Sequence, residues 1–437
     1  MNVETISNRM IHELVLDQSP SRHWLAFPPR QWREQIPELV RSTNLGLALL
    51  TRNHARRNRE WIAQDLRPIQ PAVGGRQFGP LEDLLLVRIA PEVEATAAGR
   101  LLAEFSPTSS QVVISVVLGS GPAAGRWVGQ VWESGMTYSL DGFRLVGPGM
   151  HLVTLEPPND QEFSESDVLH GPGSRTRGAL GEAVWQRIRS SSVAVIGCGR
   201  NGSAAAMILT MLGVRRVTLI DDDRDEANGL DATLGASPEG IGQFKVMNRS
   251  SALQRLRPDD FEVAPVCSSL LDPGVVHQLR DVDLIVTCVD QDAPRLAAAM
   301  IANRLGKLHL DIGTGVLATE EGLQAGGDVR LLLPGVSCVA CHGGLGDPDT
   351  ARYEVAAPAG ALRRGPRRAW FEQRAGSLLT INLVAVNVGI QLWLDLLASR
   401  VTESRWCRLD WNNRGELQVT TVTSPRAVCP ICRSTEA

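Results

Sequence analysis

Ser192-Val193-Ala194-Val195-Ile196, followed at once by Gly197-Cys198-Gly199-Arg200-Asn201-Gly202, is the stretch on which the fold turns. The first five residues are a short, β-branched apolar run, the pattern of a buried parallel strand. The next six fit G-x-G-x-x-G. Ala204 to Leu212 then reads as an apolar helix, and Arg216 to Ile220 as a second strand ending at Asp221. A strand, a glycine turn, a helix and a strand closing on an acid form the context of a nucleotide-binding fingerprint. The glycines permit a tight turn and let the backbone approach a phosphate, whose charge meets the N–H groups and positive end of the helix. The terminal acid is placed to accept a bond from a ribose hydroxyl. A Rossmann-type sheet that keeps the turn without its ligand is the other reading of these residues.

Downstream the alternation continues. Phe261 to Val266, Asp283 to Val289 and Lys307 to Ile312 read as strands, with helices over Pro273 to Arg280 and Ala293 to Leu305 between them. That regularity predicts a mostly parallel, doubly wound α/β sheet. Beyond Gly315 the pattern changes: 328–333 and 416–422 read as an antiparallel extension, with a long amphipathic helix from Leu378 to Ala398 between them. Residues 345–369 show no clear period. Upstream, a helix over Gly181 to Arg189 leads into the core, behind a Gly/Ser-rich linker from His170 to Gly178. Residues 1–75 read as a helical segment, and 80–158 as a small β-rich or α+β module with strands at Leu84 to Ile89, Val112 to Leu118, Trp127 to Trp132 and Leu152 to Leu155. The Pro/Gly-rich stretch Pro68 to Pro80 reads as a linker between them. Residues 160–437 make up the principal domain.

Composition narrows the class. The chain has 437 residues, enough for two or three domains, and its net charge of −4 gives no footprint for nucleic acid. No apolar run in the sequence reads as a membrane span and no export signal opens the chain, so a cytoplasmic protein is expected. Eight cysteines in a chain of this length are not a disulfide scaffold.

Four of those cysteines form two pairs, Cys338-Val339-Ala340-Cys341 and Cys429-Pro430-Ile431-Cys432. Each pair presents two thiolates on one turn, and four sulfurs complete a tetrahedron around Zn²⁺, stapling the C-terminal tail to the domain. A redox C-x-x-C would instead open the helix of a thioredoxin-like unit. Polar residues extend the glycine turn into a candidate site. Asp223 follows Asp221 by two positions, and Lys245 carries a mobile ammonium suited to phosphate oxygens. Asp290 ends a strand, where α/β sheets bind ligands, and its carboxylate suits Mg²⁺ bridged to phosphates. An Asp after a strand is also a common helix cap. Taken in this order, the residues favour ATP over a dinucleotide cofactor.

The residues from about 160 to 435 resemble the ThiF/HesA/MoeB group, bacterial relatives of ubiquitin-activating enzymes. Its glycine loop matches Gly197, Gly199 and Gly202, its ribose acid Asp221, its lysine Lys245 and its magnesium aspartate Asp290, with Arg295 behind; its zinc site matches both cysteine pairs. The resemblance implies ATP-dependent adenylation of a carboxylate, usually the C-terminal glycine of a ubiquitin-like or sulfur-carrier protein or a peptide, by a homodimer. Lys245 and Asp290 would be the catalytic pair. Two departures stand out. The family's Asn-Leu-x-Arg segment aligns with Gly229-Leu230-Asp231-Ala232, so a phosphate-clamping guanidinium is missing at Ala232. Arg200, Arg175, Arg177 or a dimer partner could supply one; otherwise the domain is a degenerate member that binds a peptide or partner without catalysis. The second departure is the absence of cysteine between Cys341 and Cys407, so no acceptor thiol is expected on the chain. Cys198, Cys267 and Cys288 read as small apolar packers.

Overall fold

The computed structural model describes residues 22–29, 31–42, 44–54, 58–68, 83–103, 112–120, 126–147, 150–154, 173–257, 261–319, 322–356, 377–412, 414–422, 429, 431 and 432. They fall into two compact units, one of 1–145 with 152–158 and one of 146–151 with 159–437.

The first unit is built on nine strands: β1 (Arg22–Phe27), β2 (Leu45–His54), β3 (Asn58–Pro68), β4 (Leu84–Ala90), β5 (Val112–Gly119), β6 (Trp127–Glu133), β7 (Met136–Ser139), β8 (Gly142–Leu145) and β9 (His151–Thr154). They form one sheet in the order β7-β6-β5-β4-β2-β3-β1-β8-β9. This corrects the helical reading of 1–75. Within the described part of that span, only a π-helical turn at Gln31–Gln35 and the short helix α1 (Ile36–Arg41) are helical. The Leu/Ala-rich run Leu45–Leu50 has good helix formers, but β2 is hydrogen-bonded on both edges, to β3 and to β4. Cross-strand pairing overrides such intrinsic preferences. The core joins Leu25, Phe27, Trp61, Ile114, Val131 and Phe143, with the Trp127 and Phe143 ring centroids 4.1 Å apart. Residues 69–82, most of the expected linker, lie outside the described residues.

The second unit holds eight strands: β10 (Ser192–Ile196), β11 (Arg216–Ile220), β12 (Glu262–Val266), β13 (Leu284–Thr287), β14 (Leu308–Thr319), β15 (Gly322–Leu332), β16 (Arg405–Trp411) and β17 (Leu417–Val422). Their order is β12-β11-β10-β13-β14-β15-β16-β17. The first five are parallel neighbours, and the pairs β14–β15, β15–β16 and β16–β17 are antiparallel. The doubly wound sheet and its antiparallel extension are thus both present. The helices are α3 (Ser174–Leu180), α4 (Glu182–Ser190), α5 (Arg200–Leu212), α6 (Lys245–Leu256), α7 (Asp292–Arg304), α8 (Pro348–Ala356) and α9 (Leu379–Leu397), numbered after α2 (Ala97–Ala103) of the first unit. Helix α3 begins inside the stretch read as a linker, and α8 inside the stretch read as aperiodic. Residues 357–376 lie outside the described residues.

Contrary to the sequence reading, α9 is long and apolar enough to cross a membrane by length and composition. Its apolar character has a different use in this unit. Val386, Ile390 and Trp393 belong to the same buried cluster as Leu310, Ile312, Val329 and Leu331 of the sheet. The helix closes on the sheet at Gly389, where an added Cβ would lie 3.1 Å from Ile312 and 3.2 Å from both Leu310 and Val329. Trp393 is 1 % exposed. Trp393→Ala is expected to destabilise the second unit by about 3–5 kcal/mol, read as a lower denaturant midpoint by circular dichroism.

Candidate functional site

The strand order reverses between β10 and β13, and a cleft of about 1040 Å³ opens at the carboxyl ends of these strands. Such a reversal is where open α/β sheets leave a crevice for ligands. Gly197 leaves β10 with φ +84°, and a Cβ there would sit 2.8 Å from the Cys288 carbonyl oxygen. A Cβ on Gly202 would collide with the Gly197 carbonyl, so the first turn of α5 can pack against the loop only with glycine there. Gly199 is the N-cap of α5, and no side chain caps that end. The first-turn N–H groups of α5 thus have no partner within the helix, and Gly199, Arg200 and Asn201 line the cleft.

Asp221 ends β11, as read from the sequence, and its carboxylate is already engaged. Oδ2 accepts from the Cys198 N–H at 2.6 Å and Oδ1 from the Asp223 N–H at 2.7 Å. It thereby ties the glycine turn to the loop after β11. Each oxygen has a second lone pair, so a hydroxyl donor can still bind. Lys245 opens α6 and donates from Nζ to Asp223 Oδ2 at 3.0 Å. Asp290 lines the same cleft, exposed, and accepts no hydrogen bond among the described residues. The N-cap of α7 is Gln291, so Asp290 is not a helix cap. Gly197, Gly199, Asp221, Asp223, Lys245 and Asp290 all line one cleft, while Gly202 lies buried beneath it. Ala232, where the family arginine was sought, is buried at 3 % exposure.

Two constellations escaped the sequence reading. Asn201 Nδ2 donates to Thr314 Oγ1 at 3.0 Å, and Thr314 Oγ1 donates to Asn382 Oδ1 at 2.9 Å, so a polar chain joins the glycine turn to β14 and α9. The other centres on Asp311, which is fully buried in β14. It accepts from Arg295 Nε at 2.9 Å, Arg330 Nη1 at 3.0 Å and Thr287 Oγ1 at 2.8 Å. Burial alone would raise the Asp311 pKa; the Arg295, His309 and Arg330 charges and the Thr287 hydroxyl outweigh it and hold the carboxyl below its ordinary value. Since Thr287 donates to Asp311, it accepts from His309 Nε2 at 2.8 Å, which places the His309 proton on that nitrogen. The signal available in the sequence was an acid within the apolar run Leu308-His309-Leu310-Asp311-Ile312, a position that demands a cation partner.

The four cysteines read as one centre do converge. Cys338 Sγ lies 3.8 Å from Cys341 and 3.6 Å from Cys429, Cys341 Sγ lies 3.3 Å from Cys432, and all four are buried, unoxidised and within 4.8 Å of one another. Four thiolates about 2.3 Å from a tetrahedral ion stand roughly 3.8 Å apart, so the donor set fits a thiophilic metal. Cys198 is buried and Cys288 half-buried, in keeping with packing roles, but Cys267 is exposed, which corrects its reading as a packer. Its position just past the end of β12, where the sheet edge meets solvent, explains the exposure.

His309 supplies a pH signature. Burial first, then Arg295 and Arg330, push its pKa down to about 4 against the pull of Asp311. An unfolded histidine titrates near 6.5, so between these values the unfolded chain binds the extra proton. Stability contributed by neutral His309 is complete above about pH 6.5 and falls by roughly 3 kcal/mol as the pH drops towards 4. His309→Gln is expected to flatten that slope in denaturation curves collected across this window.

Comparison with known proteins follows this geometry. Residues 174–368 match the model of the ThiF family. Ubiquitin-like modifier-activating enzyme 5 of Gallus gallus is 30% identical over 169 residues, 36% of this chain and 41% of that protein. The Arabidopsis thaliana enzyme of the same name is 30% identical over 216 residues, 44% of this chain and 48% of that protein. The chain thus spans less than half the length of these relatives. Among solved structures, Escherichia coli MccB with ATP superposes with a TM-score of 0.44 at 18% identity, covering 63% of this chain and 76% of that chain. The Microcin C7 biosynthetic enzyme MccB with N-formylated MccA gives a TM-score of 0.47 at 17% identity, covering 62% and 77%. The glycine turn and the acid closing β11 both lie within the residues that match the ThiF family model.

Proposed function

We propose that the second unit uses ATP and Mg²⁺ to adenylate the C-terminal carboxylate of a ubiquitin-like or sulfur-carrier protein or of a peptide. The observation that carries this reading is the convergence of the glycine turn, Asp221, Lys245 and Asp290 on one cleft. The ThiF match and the activating-enzyme relatives support it. A carboxylate oxygen forms a bond to the α-phosphorus, the bridging α–β P–O bond breaks, and its electron pair leaves with pyrophosphate. No proton has to move, so the chain's task is alignment and charge neutralisation. The Gly197–Gly202 turn cradles phosphate, Asp221 receives the ribose and Lys245 exchanges Asp223 for a phosphate oxygen. Asp290, exposed and unpaired among the described residues, is an oxygen donor of the kind Mg²⁺ takes, and would hold the ion where it offsets phosphate charge. The cysteine centre would hold Zn²⁺ as a fold staple, without a part in the chemistry.

Thioester transfer does not follow. Cys407 is buried, and burial pushes its thiol pKa up. The pKa of exposed Cys267 is also raised, by desolvation that outweighs Arg224, so it lacks the activated thiolate an acceptor needs. The second reading, a member that binds a carrier or peptide without catalysis, draws on buried Ala232 in the place of a phosphate-clamping arginine.

ATP–pyrophosphate exchange with candidate carriers separates the two. Exchange is expected with the parent chain, loss of at least two orders of magnitude in Asp290→Ala, and weakened ATP binding in Lys245→Ala. Asp290→Ala exchanging at the parental rate would remove Asp290 from the site. Elemental analysis is expected to find one zinc per chain, and Cys432→Ser to lower the melting temperature, because metal binding and folding are coupled.

A further inference from the structure

We propose that Arg200 is the guanidinium that grips the ATP polyphosphate, taking the part left open at Ala232; this rests on the adenylation reading above. The cleft wall is rich in acids, with Asp221, Asp222, Asp223, Glu226, Asp290 and Asp292 around it. A polyphosphate entering such a wall needs cations that are not already neutralised. Lys245 is held by Asp223. Arg295 is committed to Asp311 and to the Val289 and Gly344 carbonyls. Arg224 donates to the Gly242 carbonyl and stacks on Phe244, 4.0 Å from the ring centroid. Arg408 pairs with Asp410 at 3.3 Å. Arg200 differs from all four. Its Nε is buried without a hydrogen-bond partner, and its side chain makes no ion pair among the described residues.

Its place in the chain suits the task. Arg200 is the first residue of α5, directly after Gly199, where the first-turn N–H groups have no partner within the helix. Position 200 is an unrestricted place in G-x-G-x-x-G, so a long side chain there leaves the turn intact. A guanidinium presents a planar fork of donors to phosphate oxygens, and a buried Nε without a partner is the group such a ligand would satisfy. Ala232 offers a methyl group in its stead and is buried.

The test is calorimetric titration of the purified full-length chain with Mg²⁺–ATP and with adenosine, in the absence of carrier. Arg200→Ala is expected to weaken ATP binding by about 10–100-fold, since a charge-assisted bond to phosphate is lost. Adenosine affinity should stay within about twofold and the melting temperature of the ligand-free chain should hold. Arg200→Lys, which keeps the charge but not the fork, should fall between the two. Arg200→Ala that binds ATP as tightly as the parent overturns the proposal and leaves the adenylation reading standing. A loss that falls equally on ATP and adenosine, or that appears in both variants with a lower melting temperature, marks Arg200 as a fold element and overturns it too. A parent chain with no affinity for ATP removes the adenylation reading, and this assignment with it.

Discussion

The buried carboxylate of Asp311 is the interaction on which the second unit depends most. It sits in β14, the strand with a parallel neighbour on one side and an antiparallel one on the other. Its register partners are Thr287 across the parallel edge and Arg330 across the antiparallel one. A carboxylate with no solvent exposure survives only with its charge matched and its lone pairs filled. Arg295, Arg330 and Thr287 do both. Removing one member of such a group leaves an unmatched buried charge, which costs about 3–5 kcal/mol. The junction of the two sheet halves is thus fixed by charge as well as by packing.

The same two arginines reach outwards from that junction. Arg295 donates to the Val289 carbonyl beside Asp290 and to the Gly344 carbonyl just past the first cysteine pair. Arg330 donates to the His342 carbonyl, lies 3.2 Å from Asp328, and stacks over Trp406 with 4.7 Å to the ring centroid. The cysteine centre and the Asp290 loop are therefore braced against one carboxylate. A metal held by the four sulfurs would fix the knuckle carrying His342 and Gly344, and through Arg295 would steady the carbonyl next to Asp290.

Much of the second unit was legible in the sequence because its signals are local. Apolar β-branched runs bounded by glycine or aspartate read directly as β10, β11 and β13. The G-x-G-x-x-G spacing names the turn before any contact is known, and two C-x-x-C pairs imply one centre whatever lies between them. The parts that could not be read depend on partners distant in the chain. Asp311 and Arg330 are nineteen positions apart, and Asn201 and Asn382 meet only through Thr314. The first unit was misread for the related reason that β1 pairs with β3 and β8, and β4 with β2 and β5. A Leu/Ala-rich segment such as 45–50 satisfies a helix as well as a strand until its edges are known.

The adenylation proposed for the cleft would require little acid–base machinery. No histidine lines it among the described residues, and burial raises the pKa of Cys288, the cysteine in its wall, beyond the range in which a thiolate forms near neutrality. The groups that remain are fixed charges and backbone donors. Asp221 holds the glycine turn through the Cys198 N–H, so that backbone is fixed by the chain itself. Lys245 is held at 3.0 Å by Asp223 and, in the proposed adenylation, would trade that carboxylate for a phosphate oxygen. Such an exchange keeps the ammonium paired throughout. Within that acid-rich wall Asp221 thus organises backbone donors and Asp223 holds a cation.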